Sequence, residues 1–154
     1  MAETFLRRSR IAAPAEKVFE WHGKPGALER LTPPWEHAEV IEPAPDIRDG
    51  SRGALRVRVG PFSVRWEFEH RGYQEGREFQ DVQTAGPFRR WEHTHRFIAD
   101  GPDACWLEDS IVYELPFGAL GAAFGGRFVR RKLEKLFAYR HEETARALEE
   151  EKKW

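Results

Sequence analysis

The chain has 154 residues and a formal net charge of -1, from 25 Lys and Arg against 26 Asp and Glu, which excludes the basic excess typical of nucleic-acid-binding proteins. Its length suits a single domain over residues 1–154 with a sizeable core. Cys105 is the only cysteine and no apolar stretch suits a signal peptide or an integral membrane segment, so we expect a cytoplasmic protein without an intrachain disulfide.

The N-terminal part of the chain predicts one strand followed by two short helices. Residues 3–12 suit a first strand, and an amphipathic helix after Pro14 should end near Gly23. Residues 24–31 predict a second short helix, because Pro33 and its neighbours cannot continue it.

The middle of the chain, residues 35–113, predicts an antiparallel meander of six strands. Gly and Pro recur at regular intervals and separate segments in which apolar and polar residues alternate. The alternation is clearest at residues 62–69, where large apolar side chains occupy every second position. Such a sheet has one buried face and one face in water.

The C-terminal part predicts one long helix, from about Phe124 to Glu151, with an apolar stripe on an otherwise charged surface. The stripe comprises Phe124, Phe128, Leu133, Leu136, Phe137, Arg140 and Leu148. A meander with large aromatics on its inner face should curve around this helix and leave a cavity between them. The predicted fold class is therefore α+β, with the long helix packed across the concave face of a curved sheet in a helix-grip arrangement.

Three segments, residues 11–21, 86–97 and 109–116, resemble the START-like superfamily. This superfamily includes polyketide cyclases and dehydratases, plant pathogenesis-related lipid binders and coenzyme Q binding proteins. The resemblance implies the helix-grip fold over nearly the whole chain and a pocket for a small hydrophobic ligand. The resemblance specifies the fold but leaves several functions open, because this scaffold hosts carriers, enzymes and regulators.

One predicted strand carries two histidines between large aromatics on a single face. Trp91, His93, His95 and Phe97 alternate with polar residues, and unpartnered imidazoles on a buried face would cost about 1 to 3 kcal/mol each. The histidines therefore need hydrogen-bonding partners, a cavity, or both.

The next strand supplies a partner if the two apolar faces are buried together. Pairing odd with odd positions places Asp109 opposite His95 and Tyr113 opposite Trp91. By the same parity, the preceding strand adds further members to this face. The candidate ligand-binding residues are Asp81, Gln83, His93, His95, Asp109 and Tyr113, with Trp66, Phe68, Phe79, Trp91, Phe97, Phe124 and Phe128 as walls.

This constellation favours binding of a small hydrophobic molecule such as a lipid, an isoprenoid or a polyketide-like compound, by a carrier or a sensor. A second hypothesis is a cyclase or dehydratase in which His95 and Asp109 are catalytic and move protons. A third is a metal held by His93, His95 and Asp109, but without a further histidine this spacing is weak evidence, and we predict no metal and no cofactor. A closed hydrogen-bond network is the structural alternative.

Two features of the long helix admit more than one interpretation. Its early part carries Arg127, Arg130, Arg131, Lys132 and Lys135, which suit an anionic partner, a ligand head group or a protein-interaction surface, although a solvated face is favoured. Glycines at 118, 121, 125 and 126 suit either a gate over the cavity or a tight packing bend. The sequence leaves the choice between monomer and homodimer open.

Overall fold

The computed structural model describes residues 2–153 as a seven-stranded antiparallel sheet with three helices. The elements in chain order are β1 (Glu3–Ile11), α1 (Ala15–His22), α2 (Ala27–Arg30), β2 (Ala38–Glu42), β3 (Arg52–Val59), β4 (Phe62–Gln74), β5 (Glu78–Ala85), β6 (Arg90–Ala99), β7 (Cys105–Glu114) and α3 (Gly118–Glu151). This is the predicted α+β helix-grip arrangement.

The sheet is a meander that returns to its starting strand. Its order is β1-β7-β6-β5-β4-β3-β2, because α1 and α2 carry the chain from β1 to the far edge before the hairpins lead back to β7. The predicted register is confirmed: His95 lies opposite Asp109, and Trp91 lies opposite Tyr113. Asp81 lies opposite His93, so the odd positions of β5, β6 and β7 share the concave face.

Two helix boundaries differ from the predicted ones. The second helix is confined to Ala27–Arg30, because Gly26 has a left-handed φ of 87° that separates it from the preceding residues. The long helix begins at Gly118 rather than near Phe124, since left-handed conformations at Phe117 (φ 67°) and Gly118 (φ 56°) reverse the chain directly after β7.

The core consists of two apolar clusters under α3. One joins α1 and the end of α3 to the sheet through Phe19, Phe79, Phe97, Leu107 and Leu148 among others. The second lies under the middle of α3 and contains Phe5, Trp91, Ile111, Tyr113, Leu133 and Phe137. Along the paired strands β6 and β7, His95 and Asp109 lie between residues of the two clusters. The Phe97–Leu107 pair on one side belongs to the first cluster, and the Trp91–Tyr113 pair on the other side belongs to the second.

The prediction that Phe124 and Phe128 belong to the buried stripe of the long helix is wrong. Their exposed fractions are 85% and 65%, whereas Leu133 and Phe137 are buried. Phe124 precedes Leu133, and Phe128 precedes Phe137, by about two and a half helical turns. Each phenylalanine therefore points away from the sheet, and neither forms a wall on the concave side.

The helix covers only one side of the concave face. It packs mainly on β1, β7 and α1, and it makes fewer contacts with β2, β3 and β4 on the opposite side of the sheet. That side carries half-buried apolar residues of β2, β3 and β4 that lie opposite one another in the register and therefore share the concave face. We call them the concave strip: Ala38, Val40, Leu55, Val57, Val64 and Trp66. Within residues 2–153, no helix combines the length and apolarity needed to span a membrane.

Candidate functional site

Five titratable side chains meet between the two apolar clusters. They are Asp81 of β5, His93 and His95 of β6, Asp109 of β7 and His141 of α3, called here the His/Asp cluster. The alternation of the strands aims the first four at the concave face, and the buried face of α3 supplies the fifth. All except Asp81 are buried.

Asp109 is the centre of the cluster and is surrounded by three imidazoles. His93 Nε2 donates to its Oδ1 at 2.7 Å, and His141 Nε2 donates to its Oδ2 at 2.6 Å. His95 Nδ1 lies 3.2 Å from Asp109 Oδ1. The other nitrogen of His141, Nδ1, lies 2.7 Å from Ser9 Oγ, so the ring is held from both sides.

Asp81 is the second carboxylate and the member of the cluster that solvent reaches. Its Oδ2 accepts a hydrogen bond from His95 Nε2 at 2.7 Å and lies 3.5 Å from His93 Nδ1. Its side chain is 23% exposed, whereas those of His93 and Asp109 are 2% and 5% exposed. Asp81 is therefore the point at which the buried network reaches solvent.

Mutual stabilisation keeps both carboxylates and one histidine charged. Burial alone would raise the pKa of Asp81 and of Asp109, but the adjacent histidines hold both pKa values well below their usual range. Burial likewise opposes charge on His93, yet Asp81 and Asp109 raise its pKa to about 9. An imidazolium donates from both nitrogens, which matches the two carboxylates that His93 faces.

Two further basic side chains, His22 and Arg140, adjoin the cluster. Burial, reinforced by the nearby His95, lowers the pKa of His22 to about 4, so this ring is neutral. The Arg140 guanidinium is a fixed cation whose Nε donates to Leu31 O at 3.2 Å. Arg140 and the protonated His93 thus place two positive charges beside the two carboxylates.

The imidazoles are also packed as a stack. His95 lies parallel to the Phe79 ring, with centroids 4.2 Å apart and planes inclined by 9°. The ring centroids of His93 and His95 are 3.7 Å apart, and the Phe137 ring meets the His93 ring edge-on with centroids 5.2 Å apart. The rings are thus restrained by packing as well as by hydrogen bonds.

The enclosed space against the cluster is the size of a water molecule. A cavity of about 10 Å³ is lined by His22, Leu31, His95, Leu107, Asp109, Arg140, His141 and Thr144. This volume holds about one water molecule. Arg140 and His141 of α3 line it, between the helix and the sheet, where the sequence predicts a cavity for a ligand.

Two of the predicted polar residues lie apart from the cluster. Gln83 donates to Phe88 O at 2.7 Å and accepts from Phe88 N at 3.2 Å, so it braces the turn between β5 and β6. Tyr113 donates its O–H to Glu3 Oε2 at 2.8 Å. Neither side chain contacts a histidine through these bonds.

The predicted aromatic residues fall into three settings. Phe79 and Phe97 are buried against Phe19 of α1, and Phe68 is buried beside His70. Trp66 packs edge-on against Trp91 with centroids 5.0 Å apart, which joins the concave strip to the core. Phe124 and Phe128 lie on the outside of α3.

Asp81, His93 and His95 each offer one ligand atom, and these three atoms lie within 4.8 Å of one another, close enough to be considered as a metal site. Ligands around tetrahedral zinc lie about 3.3 Å apart, given bond lengths of about 2.0–2.1 Å. His95 Nε2 and Asp81 Oδ2 are only 2.7 Å apart, which is a hydrogen-bond distance. The arrangement is therefore that of a proton-bridged network.

Sequence reasoning missed the contributions of helix residues to this site. His141 follows Leu133 and Phe137 at four-residue steps, so the helical period places it on the same buried face. That period was a usable signal for His141. The alternation of β1 likewise places Ser9 on the same face as Phe5 and Ile11, whereas His22 carried no comparable signal because only the packing of α1 brings it beside His95.

A family model described as polyketide cyclase / dehydrase and lipid transport matches residues 11–138. A search of curated proteins finds no match.

Solved structures with the same fold include a Thermus thermophilus protein, with a TM-score of 0.69, 21% identity, and coverage of 94% of this chain and 99% of that one. A START superfamily protein from Mycobacterium smegmatis has a TM-score of 0.68 and 14% identity, covering 96% and 97% of the two chains. A Corynebacterium glutamicum nucleoside-diphosphate sugar epimerase has a TM-score of 0.72 and 26% identity, covering 94% of this chain but 29% of the epimerase.

Proposed function

Because the chain belongs to the polyketide cyclase / dehydrase and lipid transport family of START-like proteins, we propose that it binds a small hydrophobic molecule along the concave strip, with the polar end of that molecule at Asp81. Family membership supports hydrophobic ligand binding or a cyclase-like role. The observation that carries our choice of binding is the concave strip itself, a half-buried apolar surface on three neighbouring strands with which α3 makes few contacts.

The concave strip has the character of a ligand surface. Its side chains are half-buried and apolar, and they come from three neighbouring strands whose register aligns them. Apolar walls that surround a few polar groups are typical of small-molecule sites. An open cleft of about 450 Å³ adjoins the strip at Ala38 and Val40, and the rest of its lining is mainly polar, with Glu29, Thr32, Glu36 and Glu39.

Asp81 gives the proposed ligand a chemical requirement. It is the exposed member of the His/Asp cluster, and its ionised carboxylate accepts hydrogen bonds but cannot donate them. A hydroxyl or amine on the ligand satisfies this carboxylate, whereas a lone carbonyl does not. We therefore expect a lipid-like, isoprenoid or aromatic ligand that carries a donor group.

Binding is tested with Nile red as a fluorescent hydrophobic probe. Val57→Asn places an amide in the middle of the concave strip and should weaken binding about tenfold, by the loss of apolar contact. Val82→Asn is the matched control, since Val82 is also half-buried but lies on the convex face. Equal affinities for the two variants would contradict the proposal, and native mass spectrometry of protein from its own host would identify the natural ligand.

Acid/base catalysis is the second candidate function, and the geometry around His95 favours it. Its two nitrogens face different carboxylates, Asp81 at 2.7 Å and Asp109 at 3.2 Å, and the ring borders the water-sized cavity. Such an imidazole can pass a proton between its two sides during an aldol cyclisation or a dehydration.

The two functions separate at His95. If His95 moves protons, His95→Gln should abolish conversion of the co-purified molecule while Nile red affinity stays within about twofold. Product formation is followed by mass spectrometry. Conversion that continues in the variant, or an equal loss of binding and conversion, would remove the catalytic hypothesis.

A further inference from the structure

The outward face of the first half of α3 carries large apolar residues that contribute nothing to the core. Phe117, the N-cap residue of α3, is 83% exposed, and Leu120 is 64% exposed. The side chains of Phe124 and Phe128 are also mostly exposed. Contiguous exposed apolar surface on a folded protein marks a site of interaction.

The same face becomes basic further along the helix. Four-residue steps lead through Leu120, Phe124 and Phe128, and a parallel series leads through Arg127, Arg131 and Lys135; these six residues are called here the outer stripe. All six are exposed, and they lie opposite the buried side chains of Leu133 and Phe137. Residues 117–135 contain five basic residues and a single acidic one, Glu134.

A second element extends this surface at the same end of the molecule. The β3–β4 turn exposes Val59 and Phe62. In the register, Glu67 near the start of β4 pairs with Ala85 at the end of β5, while Arg90 at the start of β6 pairs with Glu114 just before α3. The β3–β4 turn and the start of α3 therefore project from the same end of the sheet.

We propose that this end of the molecule docks on an anionic lipid bilayer, with the apolar part of the outer stripe inserted among the lipids and its basic part on the head groups. Helices that lie in a membrane interface combine Phe or Leu on one side with Lys and Arg that contact anionic lipids. A flat, fluid surface also accommodates apolar side chains that come from two separate elements.

The charge distribution favours a bilayer over a second copy of the chain. A symmetric contact through the outer stripe would bring Arg127, Arg131 and Lys135 of both copies together, and residues 117–135 contain a single acidic residue to offset this repulsion. An anionic bilayer instead supplies negative charge along the whole stripe. This inference concerns the exterior of α3 and does not depend on which ligand the concave strip binds.

Vesicle co-sedimentation tests the proposal. Wild-type protein should sediment with vesicles of phosphatidylcholine and phosphatidylglycerol, less with phosphatidylcholine alone, and less as salt rises. Phe124→Ala with Phe128→Ala should weaken partitioning about tenfold or more. Arg127→Gln with Arg131→Gln should remove the preference for the anionic vesicles.

Matched controls remove similar groups elsewhere. Leu6→Ala with Ile98→Ala takes away exposed apolar side chains outside the docking end, and Arg52→Gln with Arg77→Gln takes away two exposed charges. Both control proteins should sediment like the wild type. Circular dichroism should show unchanged melting for the Phe124/Phe128 variant, because both side chains lie in water in the free protein.

Three results would overturn the inference. They are wild-type protein that stays in the supernatant with both kinds of vesicle, stripe variants that sediment like wild type, and a dimer in ultracentrifugation that Phe124→Ala with Phe128→Ala dissociates. Val57→Asn separates this proposal from ligand binding, since that variant should lose Nile red affinity and still sediment.

Discussion

Asp109 shows how a buried charge is tolerated at the scale of one residue. An ionised carboxylate is costly to remove from water unless several donors replace the lost hydration. Here His93 and His141 donate to it, and His95 lies within 3.2 Å. In residues 2–153, every buried side-chain nitrogen or oxygen has a hydrogen-bond partner.

Removal of the Asp109 charge should therefore destabilise the fold. We expect Asp109→Asn to lower the free energy of unfolding by about 3–5 kcal/mol, because the protonated His93 would lose its buried partner. Urea denaturation measures the change. Asp103→Asn, at an exposed loop position, is the control and should change stability by less than about 0.5 kcal/mol.

His93 should make stability depend on pH above neutrality. Its pKa is about 9 in the folded protein, against an ordinary value of about 6.5 in the unfolded chain. The stabilisation, of the order of 3 kcal/mol, is complete below about pH 6.5 and is lost as pH rises through 9. Urea midpoints should fall over this range for wild-type protein.

The His93→Gln variant should show a much flatter profile between pH 6.5 and about 9, because the titrating group is gone. His37→Gln serves as control, since His37 is exposed and should keep the wild-type slope. A wild-type slope in His93→Gln would show that another group titrates there.

At the scale of elements, α3 performs different tasks along its length. The part from Leu133 onward buries Leu133, Phe137, His141 and Leu148 against the sheet and α1. The first half of α3 has an exposed apolar face and begins in a tight reversal after β7. One continuous helix thus links the core, the His/Asp cluster and the proposed membrane surface.

Gly121 is the position where that reversal requires glycine. A Cβ at this residue would lie 1.9 Å from Pro116 O, so the backbone would have to shift. We expect Gly121→Ala to lower the free energy of unfolding by about 1–3 kcal/mol. Gly126→Ala, where a Cβ meets nothing within 4 Å, should be neutral or stabilising by up to about 1 kcal/mol.

The contact at Gly121 favours the packing-bend interpretation there, while the gate hypothesis stays a prediction for Gly125 and Gly126. Helical alanines at those two positions would stiffen the segment. Unchanged Nile red on-rates in Gly125→Ala with Gly126→Ala would contradict a gate.

For the whole molecule, stability should be unevenly distributed. The interior strands β6 and β7 and residues 133–148 of α3 enclose the buried network, whereas β2 is an edge strand with a half-exposed face. We expect amide hydrogen exchange to be slowest in β6, β7 and residues 133–148, and faster in β2 and residues 118–128. Equal protection of both halves of α3 would contradict this division.

Alternation along the strands was sufficient to predict the meander, the concave face and the pairing of His95 with Asp109. Strand side chains repeat every two residues, so one buried face determines the register of its neighbour. The order of elements and the resemblance to START-like proteins were likewise contained in the sequence. These features depend on local periodicity and on adjacent strands.

Tertiary structure alone decided how α3 rotates over the sheet and how much of the concave face it covers. That rotation exposes Phe124 and Phe128, brings His141 to Asp109 and places Arg140 against the small cavity beside the cluster. Helical periodicity indicates which residues share a face. When a long helix has apolar residues on two opposite faces, however, only one of the two faces can be buried against the sheet. The choice is made by packing between parts of the chain that are distant in sequence.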